Sequence, residues 1–379
     1  MNIRSILLLL CLVFSCDVFP ASKYAIPATD EGLPGAGPIR RYEWFQNLWD
    51  RKRSGWAKLV QQDQGALVFL GDSITQGWGD TMGGSFPGVK VANRGISGDT
   101  TRGVLIRLRE DVLSLNPSGV VLLIGTNDLE EKATPEVIAD NLKLIIAVLK
   151  KHSADMPIIL CNVMPSSAAK KRPADQIEKI NQLYFAAVKG DAQVTMLDTW
   201  LLFADDKGDA KKPEFPDLLH PNKTGYAKWA AALRPLLATH GFVETKPDTF
   251  HLEPGYVSLF NGHDLTGWGF RAKKTFKPTS TFDGKKASND ARYVAINGRL
   301  VVTTPPEGRR VQQLWTTREF PENFILRLEF RATPNADSGV FIRKPQLQCR
   351  DYVLAGPWKD LKNYKPQEWN EIVAIVKDG

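Results

Sequence analysis

Apolar residues gather into five short runs within the first 240 positions: ALVFLGDS (66–73), VKVANRG (89–95), GVVLLIGTND (119–128), MPIILCNVMP (156–165) and VTMLDTW (194–200). Most are apolar almost without interruption, the pattern of a strand buried on both faces. Between them the period lengthens. Val104, Leu105, Leu108 and Val112 recur at helical spacing, and Thr134-Pro135 opens a helix with a cap residue and a first-turn proline. Further helices are read over about 173–190 and 222–237. The stretch RRYEWFQNLWDRKRSGWAKL (40–59) predicts an additional helix covering the sheet. Strand and helix in alternation imply a parallel sheet with right-handed crossovers.

Near residue 242 the pattern changes. ETKPDTFHLEPG (244–255) is polar and carries prolines, as a linker does. Beyond it come period-2 stretches, among them YVAINGRLVVTT, VQQLWTTREF, NFILRLEFRAT and SGVFIRK, which predict antiparallel strands of a sandwich. The last segment, EWNEIVAIVKDG, reads as a strand whose next partner is missing, so the sandwich is expected to be incomplete at its C-terminus. The expected organisation is a leader over 1–21, an α/β domain over 38–241, a linker over 242–254 and a β domain over 255–379.

Length and composition agree with two ordinary globular domains: 379 residues, 43% hydrophobic and 24% charged. The net charge of +7 is lopsided, with 20 Lys and Arg against 14 Asp and Glu from residue 253 onward. Those charges are scattered among strand-like residues with no dense basic run, so no nucleic-acid partner is expected. The opening MNIRSILLLLCLVFSC pairs a basic start with an apolar run of about a dozen residues, the size of a signal-peptide core and short for a bilayer span. Export to the periplasm or the medium is the expectation. Lipidation at Cys16 is the weaker alternative, since the bulky Phe14 fits it poorly. Two cysteines fall after the leader, and Cys161 lies in an apolar strand pattern, so a buried free thiol is expected there rather than a disulfide framework.

Ser73 ends the first apolar run. A serine there is ordinarily a turn or cap residue. It becomes a nucleophile only with a base to take its proton and donors to receive an oxyanion. Of five histidines, His220 stands apart: it follows Asp217 by three residues in PDLLHPN, within one turn of chain, and precedes a helix. Gly98 follows the second strand and can bring a backbone N–H close to substrate where a Cβ would intrude. Asn127 ends the third and has an amide to donate. Read singly, Gly98 is a tight bend and Asn127 an Asx turn. Together, Ser73, Gly98 and Asn127 all fall at the C-terminal ends of parallel strands, the edge where open α/β sheets bind ligands.

Gly71-Asp72-Ser73-Ile74, Gly98 in SGD, Asn127 in GTND and Asp217-x-x-His220 resemble, in order, the four blocks of the SGNH (GDSL-type) hydrolases, over roughly residues 40–240. The wording GDSITQGW with NRGISGDTTRG is most similar to the platelet-activating-factor acetylhydrolase-like and carbohydrate-esterase branches. The resemblance implies a flavodoxin-like α/β/α three-layer fold. It also implies Ser73 as nucleophile, His220 as base and Asp217 as orienting acid, with an oxyanion hole made by the N–H groups of Ser73 and Gly98 and the Asn127 amide. Asp72 is expected to hold its loop by hydrogen bonds, and the glycines near Ser73 to leave room for an acyl group. Trp78 is left between acyl-pocket lining and core.

YVSLFNGHDLTGWGF, NGRLVV and NADSGVFIR resemble the opening of a 3-keto-disaccharide hydrolase domain, which implies a concanavalin-like β-sandwich (jelly roll) that acts on or binds sugars. Trp268, Asp337 and Arg343 are its candidate sugar contacts. No cofactor or metal is called for, since no metal-ligand spacing occurs. The resulting expectation is a secreted serine esterase that removes acyl groups, acetyl foremost, from a small-molecule or polysaccharide ester through an acyl-enzyme at Ser73. The alternatives are a lipid esterase or thioesterase with the same triad, or a glycoside hydrolase whose main activity lies in the C-terminal domain.

Overall fold

The computed structural model describes residues 22–189, 191–243, 252–302, 312–332, 336–343, 346–350, 363–365 and 368–378. Residues 1–21, read above as a leader, most of the expected linker and several stretches of the second part lie outside them. The first part runs α1 (Glu43–Ala57), β1 (Leu67–Gly71), α2 (Ser73–Gly77), β2 (Val91–Gly95), α3 (Thr101–Asp111), β3 (Gly119–Leu123), α4 (Thr126–Glu130), α5 (Pro135–His152), β4 (Ile158–Cys161), α6 (Ala174–Val188), β5 (Val194–Leu197), α7 (Thr199–Phe203) and α8 (Lys223–Thr239). The five strands form one parallel sheet in the order β2-β1-β3-β4-β5. The order reverses beside β1, so the loops leaving β1, β2 and β3 open onto a crevice at their C-terminal ends.

Alternation along each strand sorts its residues between two cores. Val68, Leu70, Val120, Leu122, Ile158 and Leu160 pack with apolar residues of α3, α5 and α6. Leu67, Phe69, Val121, Leu123, Ile159 and Cys161 face the other way, toward Trp78, Trp229, Leu233 and Leu237. Both faces are covered, which is why the strand sequences read as continuous apolar runs. The thiol of Cys161 is free and buried, and burial pushes it up to about 12.

The helix boundaries follow local chemistry. Thr100, Thr134 and Asn222 each cap the helix that follows them, accepting from the backbone N–H of Gly103, Val137 and Gly225. The N-terminal helix α1 differs from its expected place. Its buried Phe45, Trp49 and Trp56 form a separate cluster with Ile96 just after β2, so it covers α3 and the β2 exit rather than a broad face of the sheet. The chain before residue 38 packs on the same unit. Ala36 exchanges hydrogen bonds with the Asn141 side chain, and Arg102 donates to the Gly37 carbonyl. Val243, beyond the expected end of the domain, is buried in the second core, with Phe242 packed against it.

The second part contains β6 (Leu265–Arg271), β7 (Pro278–Phe282), β8 (Tyr293–Ile296), β9 (Arg299–Val302), β10 (Leu314–Thr316), β11 (Phe324–Phe330), β12 (Asp337–Phe341), β13 (Gln346–Arg350) and β14 (Asn370–Val376). Every pairing among them is antiparallel: β10-β6-β7, β8-β9, β11-β14 and β12-β13. The β8–β9 hairpin turns on Asn297-Gly298, both with positive φ (45° and 74°), the pair a two-residue type I′ turn favours. Leu265 and Phe270 of β6 and Phe282 of β7 form a small core, against which Tyr293 and Ala295 of β8 and Leu300 of β9 pack.

Candidate active site

Residues far apart in the chain meet at the C-terminal edge of the parallel sheet. The hydroxyl of Ser73 lies 3.0 Å from Nε2 of His220, 147 positions away, and Nδ1 of the same ring lies 2.7 Å from Oδ2 of Asp217. Asp217 also accepts from the backbone N–H groups of Leu219 and His220 through Oδ1, at 3.0 and 2.7 Å. Burial pulls its carboxyl upward, but these hydrogen bonds outweigh it and hold the group down at about 2. An anion is thus fixed against one ring nitrogen, which keeps the other as an acceptor facing the serine.

Ser73 is free for this because it is not the helix cap. Asp72 is: its Oδ1 accepts from the Ile74 N–H at 2.9 Å. Asp72 is buried, and burial raises its carboxyl to about 6 against that hydrogen bond. The expected loop-holding role of Asp72 therefore takes the form of a cap one residue before the nucleophile. Ser73 stands at the first helical position, where a backbone N–H has no intrahelical acceptor.

The glycines act differently from the sequence reading. A Cβ on Gly71 would sit 2.3 Å from the Leu123 carbonyl, and one on Gly95 would sit 2.3 Å from the Gln76 N. These positions let strand ends and the α2 backbone approach each other; they do not make room for an acyl group. Gly98 has φ +89°, and a Cβ there would meet Trp44 at 2.7 Å and Arg40 at 3.0 Å. What would collide is the neighbouring protein wall, so the glycine is needed for its backbone conformation and for the approach of Trp44.

Asn127 begins its role with both ends of its amide assigned. Nδ2 donates to the Asp99 carbonyl at 2.9 Å, and Oδ1 accepts from Nη2 of Arg172 at 2.9 Å. Arginine only donates, so this contact fixes which way the amide faces and leaves the second Nδ2 hydrogen for another acceptor. Arg172 is itself buried and also donates to the carbonyls of Thr126 and Lys170 and to Glu130. Sequence reasoning missed it, because KKRP reads as a solvated turn. Ser73, Gly98, Asn127 and His220 all line one open cleft of about 430 Å³.

Other candidates fall elsewhere. Trp78 is buried in an aromatic cluster, 4.5 Å between centroids from Trp229 and 5.3 Å from Tyr226, so core packing accounts for it. His152 ends α5 and His263 sits in an exposed turn. His240 is held down at about 4 by burial and faces Thr195, and His251 lies outside the described residues. In the β region the indole of Trp268 donates to the Leu259 carbonyl, and Arg343 donates to the carbonyls of Pro321 and Glu322. The side chain of Asp337 lies outside the described residues. Among those residues no three His, Cys, Asp or Glu side chains come together as a metal-binding group, and no helix is long and apolar enough to cross a membrane.

Residues 69–228 match the GDSL-like lipase/acylhydrolase family, and residues 255–379 match a 3-keto-α-glucoside-1,2-lyase-like domain. The human platelet-activating factor acetylhydrolase IB subunit alpha2 is 30% identical over 220 residues, covering 56% of this chain and 89% of that protein. An arylesterase of Vibrio mimicus is 31% identical over 112 residues, 26% of this chain and 56% of that one. Among solved structures, a GDSL-like lipase from Bacteroides thetaiotaomicron aligns at 22% identity with a TM-score of 0.43, covering 49% of this chain and 98% of that one. The chain belongs to the GDSL-like lipase/acylhydrolase family as an ester-bond hydrolase, and a 3-keto-α-glucoside-1,2-lyase-like domain follows the hydrolase region in sequence.

Proposed function

We propose that this chain is a secreted serine esterase that removes short acyl groups, acetyl foremost, from carbohydrate hydroxyls. The observation that carries the chemistry is the relay Asp217–His220–Ser73, with contacts of 2.7 and 3.0 Å. Ser73 Oγ attacks the ester carbonyl carbon while its proton passes to Nε2 of His220. The oxygen that becomes negative is received by the N–H groups of Ser73 and Gly98 and by the free Asn127 amide hydrogen. The imidazolium, stabilised by Asp217, returns the proton to the departing alkoxide, leaving Ser73 acylated. Water then attacks with His220 again as base, and the free acid leaves.

Short acyl groups are favoured by the cleft lining, in which, among the described residues, Trp44, Ala169 and Leu219 supply the apolar side chains beside polar and charged ones. A long chain would gain little burial there. The sugar half of the reading leans on the second domain, whose family description names a glucoside. Secretion leans on the basic start and apolar run of the leader. A second reading has a specific observation behind it as well: that domain match names a lyase-type activity, so sugar cleavage outside the esterase cleft is an alternative main activity.

Ser73→Ala is expected to lower release of 4-nitrophenol from its acetate ester by about 1,000-fold or more. Activity surviving within about tenfold would remove Ser73 from the mechanism. Comparing acetate with octanoate esters tests acyl length: faster octanoate cleavage would favour a lipid esterase. Glycoside cleavage retained by Ser73→Ala would favour the second reading.

A further inference from the structure

We propose that the ester substrate is an acidic sugar: a pyranose ring laid against Trp44, with its carboxylate facing Lys170 and Lys171. This rests on the esterase reading above and names the substrate class of that same cleft.

The first observation is charge. Arg40, Lys170, Lys171 and Arg172 line the cleft beside Ser73, against one carboxylate, Glu130. The two arginines are already neutralised. Arg40 pairs with Glu130 and Glu131, Arg172 pairs with Glu130, and both arginine side chains are buried. The lysines are not. Among the described residues neither Lys170 nor Lys171 has a carboxylate within ion-pair distance. They are also presented rather than left trailing. Lys171 sits at φ 59° with its N–H on the Ala168 carbonyl, and the next residue, Arg172, is anchored in the protein by four side-chain contacts. Two uncompensated cations thus stand at the mouth of a site whose nucleophile must meet a substrate. An anionic substrate group in the cleft would find two cations there that no protein carboxylate neutralises.

The second observation is aromatic. Trp44 is 52% exposed, lines the same cleft and abuts Gly98; Tyr42 stacks beside it with centroids 6.5 Å apart and planes 10° apart. An exposed flat ring beside polar donors suits the apolar face of a sugar ring, and its two side-chain torsions cost little entropy to hold. A single ring and two lysines fit a compact anionic ring better than an acyl tail.

The test uses the full chain and a matched pair: methyl tri-O-acetyl-glucuronide as the free acid and as its methyl ester, which differ in one charge. Acetate release is measured, with 4-nitrophenyl acetate and acetyl glycerol 3-phosphate as further substrates. At low salt the wild type is expected to favour the free acid in kcat/KM by about 5-fold or more, a preference that shrinks as salt screens it. In the double variant Lys170→Gln, Lys171→Gln the ratio should fall toward 1. Trp44→Ala should lower kcat/KM for both sugar esters by about 5-fold or more, with the charge preference kept. Circular dichroism establishes that each variant is folded. Equal rates on acid and methyl ester, or a preference that survives the double lysine variant, would overturn the proposal while leaving the esterase reading intact. Faster cleavage of acetyl glycerol 3-phosphate than of the glucuronide would overturn the sugar assignment. If the wild type cleaves no ester, 4-nitrophenyl acetate included, the esterase reading falls and this one falls with it.

Discussion

The amide of Asn127 can face two ways, and only one of them donates into the cleft. Arg172 and the Asp99 carbonyl decide between them together, because a guanidinium only donates and a carbonyl only accepts, so Oδ1 must turn to Arg172 and Nδ2 to Asp99. Arg172 is therefore a positioning residue for the Asn127 amide. Arg172→Met should leave the triad contacts alone but remove one of the two contacts that orient the amide, leaving only the Asp99 carbonyl to hold Nδ2, and lose the contacts to Thr126 and Glu130. The expected loss in kcat is about 10- to 100-fold, less than deleting an oxyanion donor outright, with KM for 4-nitrophenyl acetate within about threefold. Arg172→Lys should recover part of it, since an ammonium still only donates. A variant that changes KM alone would mean that Arg172 serves binding, and the positioning role would be lost.

At the scale of elements, α1 is not a cover laid over the sheet but a brace for the loop carrying Gly98. Arg53 on α1 bonds to Asp111 on α3 at 3.0 Å, both buried, and Arg107 of α3 packs between Trp49 and Trp56 while bonding to Asp99 at 2.7 Å. Arg107 also donates to the Gly71 and Arg94 carbonyls, so one guanidinium ties the ends of β1 and β2 to the Gly98–Asp99 turn. Replacing Arg53 with Met leaves Asp111 buried with Arg107 as a more distant partner, 3.6 Å away. The expected destabilisation in urea unfolding is about 3 kcal/mol; a change under about 0.5 kcal/mol would show that α1 is held by its aromatics alone. The sequence made β1, β3 and β4 legible because each is buried on two faces and carries an almost unbroken apolar run, whereas β2 holds the buried polar Asn93 and Arg94. Ser73, Gly98, Asn127 and the Asp217–His220 pair were legible because each sits in a short block at a strand or helix end. Arg172, Trp44 and the lysines were not, because their roles depend on which distant loop each side chain crosses. The role of Gly71 differs from its sequence reading for a related cause: composition shows that a Cβ is missing, not which backbone lies over the gap.

Over the whole molecule, the edge of the sheet that holds the site is built on buried carboxylates. Asp72 and Asp99 are raised to about 6 and Asp128 to about 7, in each case first by burial. Asp128 joins α4 to α3: it accepts from the Thr101 N–H and, at 2.6 Å, from the Thr101 hydroxyl, which in turn accepts from Asn141. These bonds lower its carboxyl but do not offset burial. The sign follows from linkage. Because the folded protein holds this proton more tightly than the unfolded chain, the native state binds more protons between about pH 4 and pH 7, and stability falls as pH rises through that window. Asp128→Asn keeps an oxygen for both Thr101 donors and removes the charge that must be buried above pH 7. The variant should therefore lose less stability than the wild type between pH 4.5 and pH 8, by on the order of 2 kcal/mol. Urea midpoints at the two pH values measure this directly. Contributions of opposite sign from Asp217, Asp30 and Glu130, whose carboxyls are lowered, are common to both proteins and cancel in the comparison. Parallel pH profiles would mean that Asp128 is ionised in the fold throughout, and that α4, the short helix after β3, carries a permanent negative charge.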